Sequence, residues 1–289
     1  MNYSSRTRKG PAVLLSQIMT REIIAWRFIK DRRTDQPVGL LTPVYKEDWP
    51  YEVPGPDQRV WRYVELWKFE DMLRTSSLYF RRADKWSDAG EGRLSAEGVR
   101  GTSRSEVDFK AAYNIAPQGH AIDVAAHEVT RSCMFINCWN IGDVESARMW
   151  AEYTTSAESV AISTTFDRLL GALPNSELII SSVKYIDDTT PRCEFFHTTA
   201  FFYKDKQFSF EKELRLLRPV LDGEQVLIDD ERDFGKLIRV GIPELIERIV
   251  TNKNMPQTAA DVVRRLAQTY CPSAQVLASK IEPSVLSTG

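Results

Sequence analysis

The sequence predicts a mixed α+β protein, and three observations carry that prediction. From Val60 onward, short runs rich in β-branched and aromatic residues alternate with segments whose apolar residues recur at helical spacing. With 43% hydrophobic and 27% charged residues, a chain of 289 residues can bury an ordinary globular core, as one large domain or two small ones. No internal repeat or low-complexity tract points to a solenoid or a fibre.

The N-terminal region reads differently from the rest. Residues 11–30, PAVLLSQIMTREIIAWRFIK, place Leu14, Ile18, Ile23, Ile24 and Phe28 at helix-compatible spacing. Four prolines within fourteen residues follow (Pro43, Pro50, Pro54, Pro56), which exclude both a long helix and a central strand. We therefore divide the chain into an N-terminal helix with a Pro-rich arm over 1–58 and one α+β core over 59–289. A polar, helical, water-facing insertion is expected at about 92–130.

Within the core, WRYVEL reads as a strand, WKFEDMLRTS as a helix with Glu70 and Asp71 in its first turn, and SLYFRR as a second strand. CMFINCWN is a buried strand. In GDVESARMWAEY, Asp143 is placed to cap a helix whose inner face carries Ala147, Trp150 and Tyr153. ESVAISTTF alternates, with Val160, Ile162 and Thr164 on one face and Ala161, Ser163 and Thr165 on the other. A helix around FDRLLGAL, a strand LIISSVKYID and a helical TTAFFYKDKQ come next. The last third holds helices IPELIERIV and TAADVVRRLAQTY and a final strand AQVLASKIE.

Charge and punctuation exclude several classes. Lys and Arg number 38 against 40 Asp and Glu, so no global basic field gathers nucleic acid or anionic lipid. MNYSSRTRKG has no secretory h-region, and no window approaches 18 uninterrupted apolar residues, so a cytoplasmic location is expected. Cys133, Cys138, Cys193 and Cys271 form no CxxC pair and read as free, mostly buried thiols. His120, Asp123 and His127 fall on one helical face as a conceivable metal set. An exposed amphipathic helix in the insertion explains the same letters, and no metal is expected.

The segment FSFEKELRLLRP, residues 208–219, carries the chemistry-bearing letters. Phe208, Phe210, Leu214 and Leu216 share one parity and Ser209, Glu211, Glu213 and Arg215 the other, with only Lys212 out of pattern. A helix would instead pair Glu211 with Arg215 at i, i+4. Pro219 and the turn-like LDGEQ favour a strand, with Glu211 and Glu213 on one face about 6.5–7 Å apart. Two readings follow: a salt-bridged ladder completed by Arg215, contributing at most about 1 kcal/mol, or a pair of carboxylates aimed into a cleft.

An Arg in a first core strand (Arg62 in VWRYV), a Ser–Thr pair on a middle strand (Ser163 and Thr164 in AISTT) and a Glu-x-Glu on a later one (Glu211, Glu213) come in a telling order. That order resembles the arginine, serine and glutamate signature of NAD-dependent ADP-ribosyltransferases, with STT standing where Ser-Thr-Ser is usual. The resemblance implies a bent, split antiparallel sheet with helical additions at both ends, and NAD+ as co-substrate. It implies that Arg62 holds the dinucleotide phosphate with Tyr63 beside it, and that Ser163 and Thr164 brace the nicotinamide ribose. Tyr79 and Arg81 of LYFRR join the cofactor-binding set. Glu213 would accept from the ribose 2'-hydroxyl, and Glu211 would orient or deprotonate the acceptor. Cleaving the nicotinamide bond builds positive charge on the ribose, which a fixed carboxylate stabilises.

A second likeness covers most of residues 60–282. The succession Arg62, Tyr63, Asp88, Glu91, Glu145, Ser146, Met149, Trp150, Tyr153, Lys204, Phe208, Glu211, Glu213, Arg215 resembles the bacterial domain of unknown function 2971, a family without an established reaction. Lys204 and Lys206 flank an aromatic run and could meet phosphate, but read rather as a solvated helix face; Met149 and Trp150 read as core. The leading expectation is an NAD-consuming transferase, ADP-ribosyltransferase or NAD glycohydrolase-like, acting on a protein or nucleic acid. A toxin or phage-defence role, a homo-oligomer and a cognate inhibitor are compatible with it. The alternatives are a non-catalytic nucleotide-sensing or interaction module, and a nuclease holding Mg²⁺ on Asp88, Glu91 and the paired glutamates.

Overall fold

Seven residues that alternate across a pleat, Arg59–Glu65, form strand β1 in the computed structural model. The structure describes residues 52–86, 92, 131–174, 178–187, 198–219 and 234–281, all within one compact unit. The N-terminal helix, most of the Pro-rich arm, the insertion apart from Gly92, and the LDGEQ turn lie outside these residues. So do Asp88, Glu91, the His120–His127 pair, Cys193 and His197.

Helix α1 (Leu66–Thr75) buries Phe69, Met72 and Leu73, three and four residues apart, and ends where Ser76 turns left-handed (φ 48°). Because it starts at Leu66, Glu70 and Asp71 fall in its second turn, not the first as the sequence suggests. Strands β2 (Ser77–Arg82) and β3 (Met134–Ile141) follow. Helix α2 (Ala147–Tyr153) is capped by Ser146, whose hydroxyl accepts from the Met149 N–H. Asp143 is not the cap; it accepts from the Gln58 amide at 3.0 Å.

Strand β4 (Ser159–Thr165) runs into helix α3 (Phe166–Ala172), where the Thr165 hydroxyl accepts from the Arg168 N–H. The predicted strand over LIISSVKYID is two, β5 (Ile179–Ser182) and β6 (Lys184–Ile186). The break falls at Val183, whose N–H turns to the Glu213 carbonyl at 2.8 Å. TTAFFYKDKQ forms a single 3-10 turn, Thr199–Phe202, and strand β7 (Tyr203–Asp205) instead of a helix. After a further 3-10 segment, Lys206–Glu211, come β8 (Glu213–Pro219) and β9 (Gly235–Arg239). The predicted helix IPELIERIV shrinks to one turn, α4 (Ile242–Leu245), because Arg248–Thr251 is taken up as β10 along β4. Sheet pairing overrides local helical spacing in that β-branched run. Helix α5 (Gln257–Tyr270) and β11 (Gln275–Ala278) end the described chain.

Among the described residues the main sheet orders β11-β10-β4-β1-β3-β2-β9, with β8 on the other edge of β3 and β5 beyond β8. All neighbours are antiparallel except β10 and β11; β6 and β7 form a separate parallel pair. Strand β3 is where the sheet splits. One edge pairs with β8 from Met134 to Asn140. The other is shared, with β2 meeting Phe135 and Ile136 and β1 meeting Asn140 and Ile141. Asn137, Cys138 and Trp139 pair with neither, so a fork opens there between β1 and β2.

One face of the sheet carries the larger core, with Val60, Phe80, Phe135, Trp139, Ile162 and Leu214 packed under Phe69 and Leu73 of α1, Leu169 of α3, Leu245 of α4 and Val263 of α5. Each such side chain contributes about 1.5–3 kcal/mol on burial. The opposite face holds a smaller cluster, Trp61, Tyr63, Ala161 and Val250, under Met149 and Trp150 of α2. Strand parity puts Glu213 and Arg215 on this second face. No helix among the described residues is long and apolar enough to cross a membrane.

Candidate functional site

The site is organised by Lys212, the residue that broke the sequence alternation. Its backbone is left-handed (φ 39°), closing the 3-10 segment before it, and its carbonyl accepts from the Ile141 N–H at 2.8 Å. The conformation is uncommon for a residue with a side chain. It reverses the pleat, so Glu211 and Glu213 do not share a strand face as expected. Glu211 ends the 3-10 segment and Glu213 starts β8.

Separated in local structure, the two carboxylates nonetheless meet on one ammonium. Lys204 Nζ lies 2.6 Å from Glu211 Oε2 and 3.7 Å from Glu213 Oε2, and all three side chains are buried. Lys204 is therefore not on a solvated helix face. Arg215 donates from Nε to Glu213 Oε1 and from Nη2 to Glu213 Oε2, both at 2.7 Å, the fork-to-fork geometry that guanidinium and carboxylate favour. Arg215 also donates to the Phe201 carbonyl and lies over the Trp86 ring. Tyr153 donates to Glu211 Oε1 at 2.7 Å, and the Asn140 amide donates to the Glu211 carbonyl. The Tyr185 hydroxyl accepts from the Glu213 N–H at 2.8 Å.

Burial and partners push the two carboxylates apart. For Glu213, burial disfavours the charged form, but the Arg215 guanidinium, Lys204 and the Cys138 thiol outweigh it and hold the carboxyl at about 2. For Glu211, burial wins over Lys204, and the carboxyl is raised above its ordinary value. Burial, then the neighbouring Glu211 charge, raises the Tyr153 phenol above its usual range. The site thus holds one fixed anion beside one carboxyl that retains its proton more readily.

Arg62 pairs with Ile162 and so leaves β1 on the larger-core face, opposite to Glu213 and Ser163, reaching the fork only with its guanidinium. Its Nη1 donates to the Cys138 carbonyl at 2.7 Å, and no carboxylate pairs with it among the described residues. Burial lowers its pKa from the ordinary value. Cys138 joins the two parts of the site, its carbonyl accepting from Arg62 and its thiol bonded to Glu213.

The remaining predicted residues are more scattered. Ser163, Trp61, Asn140 and Glu213 form a single cross-strand row on one face. Ser163 and Glu213 are nonetheless three strand spacings apart, about 14 Å, and the Ser163 hydroxyl accepts from Arg59 at 3.1 Å. Thr164 points to the opposite face, its buried hydroxyl without a hydrogen bond among the described residues. Tyr63 is buried edge-on against Trp150, its hydroxyl accepting from the Ser146 N–H at 2.7 Å. Tyr79 and Arg81 lie on the Glu213 face toward β9. Tyr79 lies across Gly235 and is partly exposed, while Arg81 donates to the Lys85 carbonyl.

Sequence reasoning did not assign site roles to Lys204, Tyr153, Tyr185, Asn140 or Cys138. A lone lysine in the run TAFFYKD was the available signal for Lys204, since a cation amid aromatics is buried only with a counter-charge.

No family profile matches the chain, and no curated protein matches it. Among solved structures it is similar to Thermus sp. 2.9 DarT in complex with ADP-ribosylated ssDNA, at 10% identity over 79% of this chain and 97% of that one, with a TM-score of 0.34. It is similar also to the same protein in complex with NAD+, at 12% identity over 78% and 97%, with a TM-score of 0.33. Similarity at that level fixes neither fold nor chemistry, and the reading below rests on this chain's own residues.

Proposed function

We propose that the chain is an NAD-consuming transferase that breaks the nicotinamide–ribose bond and passes the ADP-ribosyl group to a macromolecular acceptor, protein or nucleic acid. One observation carries the reading: Glu211 and Glu213 converge on Lys204 with opposite proton affinities. Two carboxylates whose surroundings push them apart mark a division between a stabilising anion and a proton acceptor. A buried ion-pair network is also a weak device for stability alone.

In this reading nicotinamide departs with the bonding electrons and the ribose becomes cationic at its anomeric carbon. Glu213, held ionised by Arg215, stabilises that charge. A carboxylate offers about four acceptor positions; Arg215 takes two and the Cys138 thiol one, and a ribose hydroxyl would compete with Lys204, 3.7 Å from Oε2, for the remaining one. Glu211, with two positions occupied by Tyr153 and Lys204, takes the proton of the attacking nucleophile. Arg62, whose guanidinium has one backbone acceptor among the described residues, suits a dinucleotide phosphate that would have to pass through the fork from the Glu213 face. Tyr63, Ser163, Tyr79 and Arg81 border this arrangement at a distance.

A second reading is favoured by the closed Arg215–Glu213 pair: a nucleotide-sensing or interaction module in which the network is structural. Incubation with NAD+ and chromatography for free nicotinamide tests the choice. Nicotinamide release, lost in Glu211→Gln while NAD+ still binds, supports the transferase. NAD+ binding without release supports the module. Magnesium-dependent strand nicking without nicotinamide would replace both with a nuclease.

A further inference from the structure

Strand β9 ends the sheet: among the described residues it pairs only with β2. The Val240 N–H donates to the Ser76 carbonyl at 2.9 Å and the Arg82 N–H to the Phe234 carbonyl at 2.8 Å. Antiparallel ladders alternate, so the even-numbered residues of β9 bond to β2. The N–H and C=O groups of Gly235, Leu237 and Arg239 therefore face the open edge. Side chains around them are exposed and apolar: Leu237 is 51% exposed, Phe234 47%, and Tyr79, the cross-strand partner of Leu237, 43%. No proline interrupts β9, although an unprotected edge invites another strand.

Charge selects the occupant. Arg81, Lys236 and Arg239 lie on β2 and β9, neither strand contains an acidic residue, and none of the three pairs with a carboxylate among the described residues. A second copy of the chain would bring like charges together across this edge. A nucleic acid has no groups to match alternating N–H and C=O donors and acceptors at strand spacing. We propose that the edge of β9 left unpaired among the described residues docks an extended acidic segment of a partner protein, which joins the sheet as an added strand. Its backbone pairs with Gly235, Leu237 and Arg239, its carboxylates meet Arg81 and Arg239 on the face those residues share with Leu237, and its apolar residues lie on the opposite face beside Phe234.

The test uses the full chain and a fluorescein-labelled heptapeptide of alternating Glu and Val, read by fluorescence anisotropy. Its partners are the Lys–Val counterpart, the same acidic peptide methylated on alternate backbone nitrogens, and a ten-residue oligothymidylate. Saturable binding of the acidic peptide is expected, weakened about tenfold by Arg239→Glu and lost on backbone methylation. Circular dichroism checks that the variant is folded. The proposal is overturned by no saturable binding, by equal binding of the methylated or Lys–Val peptide, by an unchanged affinity in Arg239→Glu, or by oligothymidylate binding in place of the acidic peptide. Sedimentation showing a dimer that Leu237→Asp dissociates would assign the edge to a second copy and overturn it as well.

Discussion

Arg215 grips Glu213 through two parallel hydrogen bonds of 2.7 Å, one to each carboxylate oxygen, with both side chains buried. Removing one partner strands the other charge in the interior. Arg215→Ala is expected to cost about 3–5 kcal/mol, whereas replacing the pair together by leucines costs much less. Urea unfolding of the single and double variants checks this. A single variant as stable as the wild type would show that the pair is not closed in solution.

Proton affinity gives a pH signature. Glu213 has a lowered carboxyl, so its stabilisation is complete above the unfolded value of about 4.3 and is lost as pH falls toward about 2. Glu211 has a raised carboxyl, so its charged form opposes folding and that penalty grows as pH rises through its folded value. Stability should therefore rise as pH falls through the raised Glu211 value and fall again below about pH 4 as Glu213 is protonated. Glu211→Gln should remove the first limb and keep the second, as measured by thermal unfolding across pH. Identical profiles in the two proteins would contradict the assignment.

Tyr153 tests the same carboxyl from outside. Tyr153→Phe deletes the 2.7 Å bond to Glu211 and should cost about 1.5–3 kcal/mol, the usual range for a bond to a charged acceptor. It should also raise the Glu211 carboxyl further, shifting the limb that Glu211 sets upward in pH and leaving the acidic fall set by Glu213 in place.

Much of the fold was legible because its strands are short runs of β-branched and aromatic residues. Arg59–Glu65, Ser77–Arg82, Met134–Ile141 and Ser159–Thr165 fall within about two residues of the runs read as strands, of which the last also alternates. The failures share a cause, since long-range pairing decided them. Arg248–Thr251 is a strand because β4 offers an edge, and Tyr203–Asp205 is one because β6 lies beside it. In the site, Glu211, Glu213 and Arg215 were visible as letters, but the lone break at Lys212 is a turn that the continuous-strand reading misses. The meeting of both carboxylates on Lys204 was not visible, because it depends on a left-handed residue and on a strand formed with a segment almost twenty residues upstream.

Gly235 is a packing requirement. A Cβ there would sit 2.3 Å from the Phe80 carbonyl oxygen and 2.6 Å from the Tyr79 ring. Gly235→Ala should destabilise the protein by about 1–3 kcal/mol, the range for overpacking. Thermal unfolding would show it, and a neutral result would mean that β9 stands farther from β2.

Arg62 separates binding from scaffold. Arg62→Met removes one hydrogen bond to the Cys138 carbonyl, a loss of about 1 kcal/mol in stability. It should nevertheless abolish detectable NAD+ binding by calorimetry. Unaltered affinity in the variant would place the phosphate elsewhere.

The central claim is that a permanently ionised Glu213 stabilises the ribose as nicotinamide leaves. Single-turnover nicotinamide release from NAD+ measures it most directly, comparing the wild type with Glu213→Gln at a temperature where circular dichroism shows both folded. The account predicts release by the wild type and a rate at least about 100-fold lower in the variant, as for loss of one preorganised charge-stabilising group. A wild type that never releases nicotinamide, or a variant that matches its rate, would contradict it.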